Sequence, residues 1–143
     1  MMPISAADLP TRKWLNLAAV KTMVSAAENE AAKRGVDVTI CIVDEAGNLL
    51  FLQKADSVGV ITLQFAQKKA RYAALYGKPS KFAADRLKAG DLHPLIAPDG
   101  FPDQGGLPIE IDGRVLGAIA ASGAPSEVDE AIAQAGIDAL LKK

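Results

Sequence analysis

The chain has 143 residues, half of them hydrophobic, which suffices for one substantial core and is too few to suggest a second domain. Its 16 basic and 17 acidic residues give a formal net charge of -1, and no long block of either sign is present. Because binding to nucleic acid needs a clustered basic face, this pattern argues against nucleic acid as the main partner. No stretch reaches the roughly 18 to 20 apolar residues of a membrane span, and the start lacks the pattern of a signal peptide, so we expect a cytoplasmic protein.

The first predicted elements are a helix and a hairpin. After an irregular segment, about residues 1–14, apolar residues recur at steps of three and four from about Asn16 to Lys33, which predicts an amphipathic helix. The run after Gly35 is apolar at alternate positions and then on both faces, as in a strand covered on two sides. Turn-forming residues at 44–48 and an apolar run at 49–52 predict a returning strand.

A pair of helices and a long loop come next. Small residues at helical spacing between Val60 and Tyr76 predict a helix with a flat face that packs closely on a sheet. Ser80 is a suitable N-cap for a short helix that ends near Ala89. Residues 91–106 hold so many Gly and Pro that we predict no regular structure there, and such long loops often bind ligands.

The last predicted elements are a second hairpin and a helix. Asp112-Gly113, the dipeptide favoured in type I′ turns, separates two strand-like runs. Gly117 lies inside the second run, where a missing side chain indicates a bulge or a close approach, and it is a candidate pocket floor. Ser126 and Asp129 fit a variant capping box at the start of a final helix. Two hairpins joined by helices favour an α+β fold with an antiparallel sheet.

Two further features concern burial. The only cysteine, Cys41, lies in an apolar run, so a disulfide within the chain is impossible and we expect a buried, unreactive thiol. The mean hydropathy of +0.15 is high for a small monomer, which would have to expose apolar atoms on its surface. We therefore predict a homo-oligomer that buries this surface between subunits.

Four segments together resemble the GlcG/HbpS family, also called the haem-degrading or DUF336 domain. They are IVDEAGNLLFLQKAD at 42–56, KARYAA at 69–74, GGLPIEIDGRVLGAIAASG at 105–123 and EVDEAIAQAG at 127–136. The resemblance covers nearly all of residues 1–143 as a single domain, and the second hairpin carries most of its specificity. It implies a profilin-like fold, with a five-stranded antiparallel sheet between helices, and dimers that build tetramers or octamers.

The same resemblance implies a function related to haem. Members of this family are linked to haem or tetrapyrrole binding, redox sensing, glycolate-utilisation operons and the C-terminal part of PduO-type cobalamin adenosyltransferases. Haem is therefore the expected cofactor. At two positions the chain departs from the family's usual residues, since Ser57 stands where Gly is frequent and Tyr72 where Thr is frequent. These departures indicate a changed pocket.

His93 is the only histidine, so a metal site that needs two imidazoles is excluded. One imidazole is enough to hold haem iron, and His93 is also the only candidate for a catalytic acid or base. A solvent-facing loop histidine is the competing interpretation. Tyr72 and Tyr76 are neighbours on one helix and can stack on a flat ligand or offer a phenolate to iron, although packing at a subunit interface explains them equally well.

Charged residues and glycines supply the remaining candidates. Lys69 and Arg71 can pair with haem propionates or an acid substrate, and a solvated helix face is the alternative. Backbone N–H groups near the glycine pairs can bind an anion, or the glycines only permit turns; these residues are Gly105, Gly106, Ser122 and Gly123. Capping or turn roles suffice for Asp44, Asp56 and Asp129. No nucleophile elbow, phosphate loop or dinucleotide fingerprint is present.

Three functional hypotheses follow from these residues. The first is a homo-oligomeric haem or tetrapyrrole-binding protein with its pocket between the central helix, the long loop and the second hairpin. The second is a small enzyme or accessory protein for an organic acid, in which Lys69 and Arg71 hold the carboxylate and His93 transfers a proton. The third is an assembly module without a ligand.

Overall fold

A four-stranded antiparallel sheet lies between helices in the computed structural model, which describes residues 1–142. The elements follow the order expected from the sequence, helix, hairpin, helix pair, loop, hairpin and helix. Their bounds are α1 Leu17–Lys33, β1 Thr39–Asp44, β2 Leu49–Lys54, α2 Thr62–Tyr76, α3 Lys81–Lys88, α4 His93–Ile96, β3 Gly106–Ile111, β4 Arg114–Ser122 and α5 Ser126–Leu141, after a single 3-10 turn at Ala6–Asp8.

The fifth strand that the resemblance implies is absent from residues 1–142, where the sheet has the order β2-β1-β4-β3. The extended segment before α1, residues 9–16, forms neither helix nor strand. Its contacts are made by side chains instead: Leu15 is buried in the core, Arg12 pairs with Glu45 at 2.7 Å and Lys13 pairs with Asp112 at 2.9 Å. A strand requires a ladder of backbone hydrogen bonds, so the five-stranded prediction is wrong for this chain.

Each face of the sheet is covered by helices, as the pattern of β1 predicted. Val38, Ile40 and Ile42 pack with apolar residues of α1 and α5. On the opposite face, Cys41 and Val43 pack with a cluster of small residues, namely Ala66, Ala70, Ala73, Ala74, Ala118 and Ala120. The alanines let α2 approach the sheet closely, which confirms the predicted flat helix face.

The thiol of Cys41 is enclosed in the second of these clusters and has no exposed surface. Burial raises its pKa to about 12, because the thiolate would lose its hydration. We therefore expect no reaction with Ellman's reagent at pH 8 in the folded protein and one equivalent of reaction in denaturant, since the thiolate is the reacting species. Rapid labelling of the folded protein would contradict the enclosed position of Cys41.

The two edges of the sheet differ. At the β3 edge, Ser80 N donates to Gly106 O and Gly106 N donates to Ser80 Oγ, both at 2.9 Å. Pro108, two residues further along β3, points to the same side of the strand and has no N–H to offer. At the β2 edge, Leu49 and Leu50 are exposed. Thus β3 is closed to further pairing, whereas β2 is open.

The second hairpin has the turn that the sequence predicts. Asp112 and Gly113 have φ angles of 53° and 76°, and positive φ at both positions is the requirement of a type I′ turn. Gly117 lies beside a bulge in β4, where Leu116 has no partner in β3, and a β-carbon on Gly117 would be 2.2 Å from Val43 O. The close approach is confirmed, but the pocket floor is wrong, because the Leu15 side chain fills the space above this glycine.

Two predicted helix caps are replaced by longer-range hydrogen bonds. Ser80 precedes α3 but makes no capping bond, because its Oγ accepts from Gly106 N. Pro125 takes the N-cap position of α5, and Ser126 Oγ donates to Asp103 Oδ1 at 3.2 Å.

The long loop is also more regular than predicted, because it contains α4. Pro94 lies in the first turn of this helix, where its missing N–H costs no hydrogen bond. Within residues 1–142, no helix combines the length and the apolar composition that crossing a membrane requires.

Candidate functional site

Helix α2 carries four of the predicted site residues, and the structure separates them into a buried and a partly exposed group. Lys69 shares a helix face with Ala66 and Ala73, three and four positions away, and this face lies on the sheet. Tyr72 and Tyr76 point toward α3 and the long loop. The predicted residues therefore do not form one pocket on this helix.

Lys69 is only 1% exposed, and its ammonium contacts three other elements. Its Nζ donates to Ala121 O at 3.1 Å in β4 and pairs with Asp129 Oδ2 at 3.1 Å in α5. Asp103 Oδ2 in the long loop lies 3.6 Å away. The lysine thus holds α2, β4, α5 and the loop together, and it is already fully engaged with protein groups.

Asp129 is the buried partner in this arrangement. Its Oδ1 accepts a hydrogen bond from Ala124 N at 3.0 Å, ahead of the first turn of α5. Burial raises the pKa of Asp129 above its ordinary value, while the neighbouring Lys69 ammonium and the Ala124 N–H oppose that rise. The carboxylate therefore serves as a structural anchor for the lysine.

Gly105 and Gly106 lie against Lys69. A β-carbon on Gly105 would be 2.8 Å from Lys69 Nζ, and one on Gly106 would be 2.4 Å from the backbone oxygen of Lys69. The pair thus allows the loop and β3 to approach α2 closely. This packing, rather than an open pocket, occupies the space between the central helix, the loop and the second hairpin.

Arg71 connects α2 to the long loop and to the turn between β1 and β2. Its Nε donates to Asp99 Oδ1 at 3.1 Å, and its NH1 group donates to Gly47 O at 3.0 Å. A depression of about 180 Å³ is lined here by Lys68, Arg71, Asp99, Gly100 and Phe101. This volume is below the roughly 300 to 1,000 Å³ of ordinary ligand pockets.

Tyr72 and Tyr76 stack on each other, with ring centroids 4.7 Å apart and planes inclined by 21°. Tyr72 is buried, and desolvation raises the pKa of its phenol, which disfavours a phenolate that could bind iron. Tyr76 is about 40% exposed and donates a hydrogen bond to Pro98 O at 2.6 Å. Of the two, only Tyr76 presents its ring to solvent.

His93 begins α4, and its side chain is exposed. Its backbone N donates to Asp91 Oδ1 at 2.9 Å, and Asp91 in turn pairs with Arg86 of α3 at 2.6 Å. Apolar side chains accompany it, since Leu92, Leu95 and Ile96 are 64%, 58% and 80% exposed. Helix α3 packs against α4 and contributes Phe82, 42% exposed. We call these five residues, Phe82, Leu92, His93, Leu95 and Ile96, the α3–α4 surface.

Two basic side chains border Phe82 of this surface. Lys78 Nζ lies 4.9 Å from the centre of the Phe82 ring, and the Arg86 guanidinium lies 5.7 Å from it. Sequence patterns did not single out Phe82, Lys78 or Arg86 as site residues. These three residues are spaced four apart, which places neighbouring members on one side of a helix. This spacing was the feature of the sequence that could have identified them.

Ser122 and Gly123 lie at the end of β4, apart from the α3–α4 surface. Ser122 is buried opposite Thr39 of β1. Gly123 borders a depression of about 460 Å³ that also contains Ser57, the residue that departs from the family pattern. Ser57 Oγ donates to Asp37 Oδ2 there, so an acidic group faces the predicted anion site. Sequence reasoning did not foresee Asp37.

No group of three or more His, Cys, Asp or Glu side chains in residues 1–142 is arranged to hold a metal ion by itself. A metal bound through His93 would therefore need ligands from another source. A porphyrin supplies such ligands to its iron and leaves only axial positions to the protein.

Known proteins resemble the chain over most of its length. The family described as haem degrading protein HbpS-like matches residues 15–138. Protein GlcG of Escherichia coli strain K12 is 30% identical over 114 residues, which cover 80% of this chain and 85% of that protein.

Solved structures agree with this match. The crystal structure of HbpS is 30% identical, covers 98% of this chain and 99% of its own, and superimposes with a TM-score of 0.83. The crystal structure of a PduOC:heme complex has the same fold, with a TM-score of 0.81 at 24% identity over 89% of this chain and 95% of its own.

Proposed function

Because the chain belongs to the haem-degrading HbpS-like family, we propose that it binds haem on the α3–α4 surface, with His93 as an axial ligand of the iron. The observation that supports this site is the placement of the single histidine among exposed apolar side chains on α4. Large exposed apolar side chains that lie together mark binding surfaces more often than scattered ones. Haem presents a complementary apolar face around its iron.

The residues at this surface fit haem in three respects. The exposed imidazole is a haem ligand of the ordinary kind, and haem would supply the redox-active iron. Leu92, Leu95 and Ile96 offer apolar area to the macrocycle. Lys78 beside Phe82 offers positive charge to a propionate, in place of Lys69 and Arg71, which pair with aspartates.

The surface is open, so a haem bound to a single chain would remain largely exposed on one side. We therefore propose that a second copy of the chain covers it. Burial of the exposed apolar residues of α4 between copies would also account for the high mean hydropathy. Haem binding and oligomer formation are then expected to support each other.

A haemin titration of the purified protein, followed by absorbance, tests this proposal. We expect saturation at about one haem per chain with a sharp Soret band, because a protein ligand fixes the iron in one environment. His93→Ala should lose the sharp band and bind haemin at least about tenfold more weakly, a loss of about 1.4 kcal/mol. Size-exclusion chromatography of the same samples reports the oligomer.

Two further variants make the titration specific. His93→Met keeps a side chain that can ligate haem iron, so it should retain binding with a shifted Soret band. Lys88→Ala changes an exposed residue of the neighbouring helix and should titrate like the parent protein. The proposal is wrong if the parent protein shows no saturation, or if His93→Ala gives the parent spectrum.

The alternative of an organic-acid enzyme has less support from the structure. Its proposed substrate cations, Lys69 and Arg71, pair with Asp129 and Asp99. A substrate carboxylate would have to displace these partners, and one of them is buried. Haem binding at the α3–α4 surface requires no such displacement.

A further inference from the structure

A groove of about 580 Å³ contains none of the candidate haem residues. The segment before α1, the first turns of α1, the end of α5 and the second hairpin form its walls. We call it the N-terminal groove. Its volume lies within the range of roughly 300 to 1,000 Å³ that is typical of pockets for small organic ligands.

The interior of the N-terminal groove is apolar. Leu15 and Leu116 are buried at its base, and Ala19, Ile111 and Leu140 line its sides. Trp14, the only tryptophan of the chain, is 66% exposed on its lining. These side chains offer an aliphatic ligand a surface that water covers in the free protein.

The charges on this lining have one sign. Arg12, Lys13 and Lys142 are its charged residues within the described part of the chain. A smaller depression of about 430 Å³ shares Arg12 and Lys13 with the groove and adds Arg114 and Asp112. Lys142 also lies at the C-terminal end of α5, where it offsets the negative end of the helix dipole. Arg12 and Lys13 thus lie at the junction between the groove and this second depression.

The existing partners of the two junction cations are accessible to solvent, since the Glu45 and Asp112 side chains are 34% and 75% exposed. Arg12 pairs with Glu45, and Lys13 pairs with Asp112, both at the protein surface. Such pairs contribute little free energy, because solvent screens them and two long side chains must be held in place. Both cations therefore remain able to bind a ligand carboxylate.

We propose that the N-terminal groove binds an apolar carboxylate of the medium-chain fatty-acid class. The hydrocarbon chain occupies the apolar interior, and the carboxylate lies beside Arg12 and Lys13. An apolar lining with cations at one end of the same cavity is complementary to this class of ligand. An uncharged alkyl ligand would match only the apolar lining. The binding site is separate from the α3–α4 surface.

Trp14 emission during a titration with decanoate tests the proposal directly. We expect a saturable blue shift, because the alkyl chain displaces water from the indole. Decanoate should bind about tenfold more tightly than 1-decanol, which has the same chain without the charge. The combined variant Arg12→Gln with Lys13→Gln should remove most of this difference while decanol binding persists.

A matched pair of phenylalanine variants locates the binding. Ala18 is exposed and lines the groove, so Ala18→Phe should fill it and abolish the decanoate response. Ser25, exposed on the same helix and absent from the lining, supplies the control, and Ser25→Phe should bind decanoate normally. Haemin should titrate equally into both variants, which separates this groove from the haem site.

Three results would overturn the proposal. They are a decanoate titration without saturation, equal affinity for decanoate and decanol, and equal responses of the Ala18→Phe and Ser25→Phe variants. A second copy of the chain in the groove would produce the first of these, together with Trp14 emission that changes with protein concentration.

Discussion

Replacement of Lys69 by methionine is expected to lower the free energy of unfolding by about 3 to 5 kcal/mol, the range found when one partner of a buried ion pair is removed. The ammonium is enclosed and bonded to Asp129 and Ala121 O, while Asp103 lies nearby. Methionine has a similar length and no charge, so it leaves the Asp129 carboxylate buried without its main counter-charge. Denaturant unfolding of the purified variant, monitored by circular dichroism, measures the loss.

Two comparisons separate this effect from a loss of packing. Lys68→Met makes the same substitution at the adjacent, exposed position and should change stability by less than about 0.5 kcal/mol. The double variant Lys69→Met with Asp129→Asn removes both charges and should recover much of the lost stability, because no charge is left uncompensated. If the double variant is as unstable as the sum of the two single variants, the ion pair is not the cause.

The Lys69→Met deficit should also depend on pH. Burial already raises the pKa of Asp129, and loss of the lysine removes an opposing influence. An acid whose pKa is raised in the folded state stabilises the fold below its unfolded pKa, and this contribution is lost as pH rises through the folded pKa. The deficit should therefore be smaller in mildly acidic than in neutral solution. A deficit that grows on acidification would contradict this origin.

Gly117→Ala is expected to destabilise the protein by about 2 to 5 kcal/mol, from the combined cost of an unfavourable backbone angle and overpacking. Gly117 has a φ of 156°, and an added β-carbon would be 2.2 Å from Val43 O in the neighbouring strand. Since this neighbour is backbone, it cannot rotate away, and the β1–β4 pair would have to separate locally. Thermal unfolding and far-ultraviolet circular dichroism measure the loss.

Gly59 supplies the control for this substitution. A β-carbon on Gly59 meets no atom within 4 Å, so Gly59→Ala should leave stability unchanged or slightly raised. Comparable losses in the two alanine variants would show that the contact with β1 does not determine the effect.

Much of the fold could be predicted from the sequence, because local rules determine its parts. The Asp112-Gly113 turn needs positive φ at two successive residues, and few dipeptides allow that. The alternation in β1 and the small-residue face of α2 follow from strand and helix periods alone. The fifth strand came from the resemblance, and no strand pattern in residues 1–16 supported it.

The two predicted helix caps were wrong because their hydroxyls bind partners that are distant in the chain. Ser80 and Ser126 have capping chemistry, but Gly106 and Asp103 bind their hydroxyls in the folded protein. Local sequence cannot reveal such partners, since capping rules consider only the nearest turn.

Lys69 was foreseeable only in part. Its spacing from Ala66 and Ala73 could have indicated the buried face, but the alternative weighed from the sequence was a solvated helix face, which is wrong for Lys69. The compensating Asp129 lies 60 residues away. The position of His93 on an exposed apolar helix likewise appeared only in the structure, and its role as a haem ligand stays a prediction.

The difference between the two edges of the sheet limits how many chains can associate by strand pairing. Ser80 and Pro108 prevent β3 from accepting another strand, and only β2 remains available. A sheet with two free edges can add chains without end, as fibres do. A sheet with one free edge can pair only with the same edge of another molecule, and that pairing is complete at two chains. The chain is therefore protected against fibrous aggregation through its native sheet, even though one of its edges is apolar.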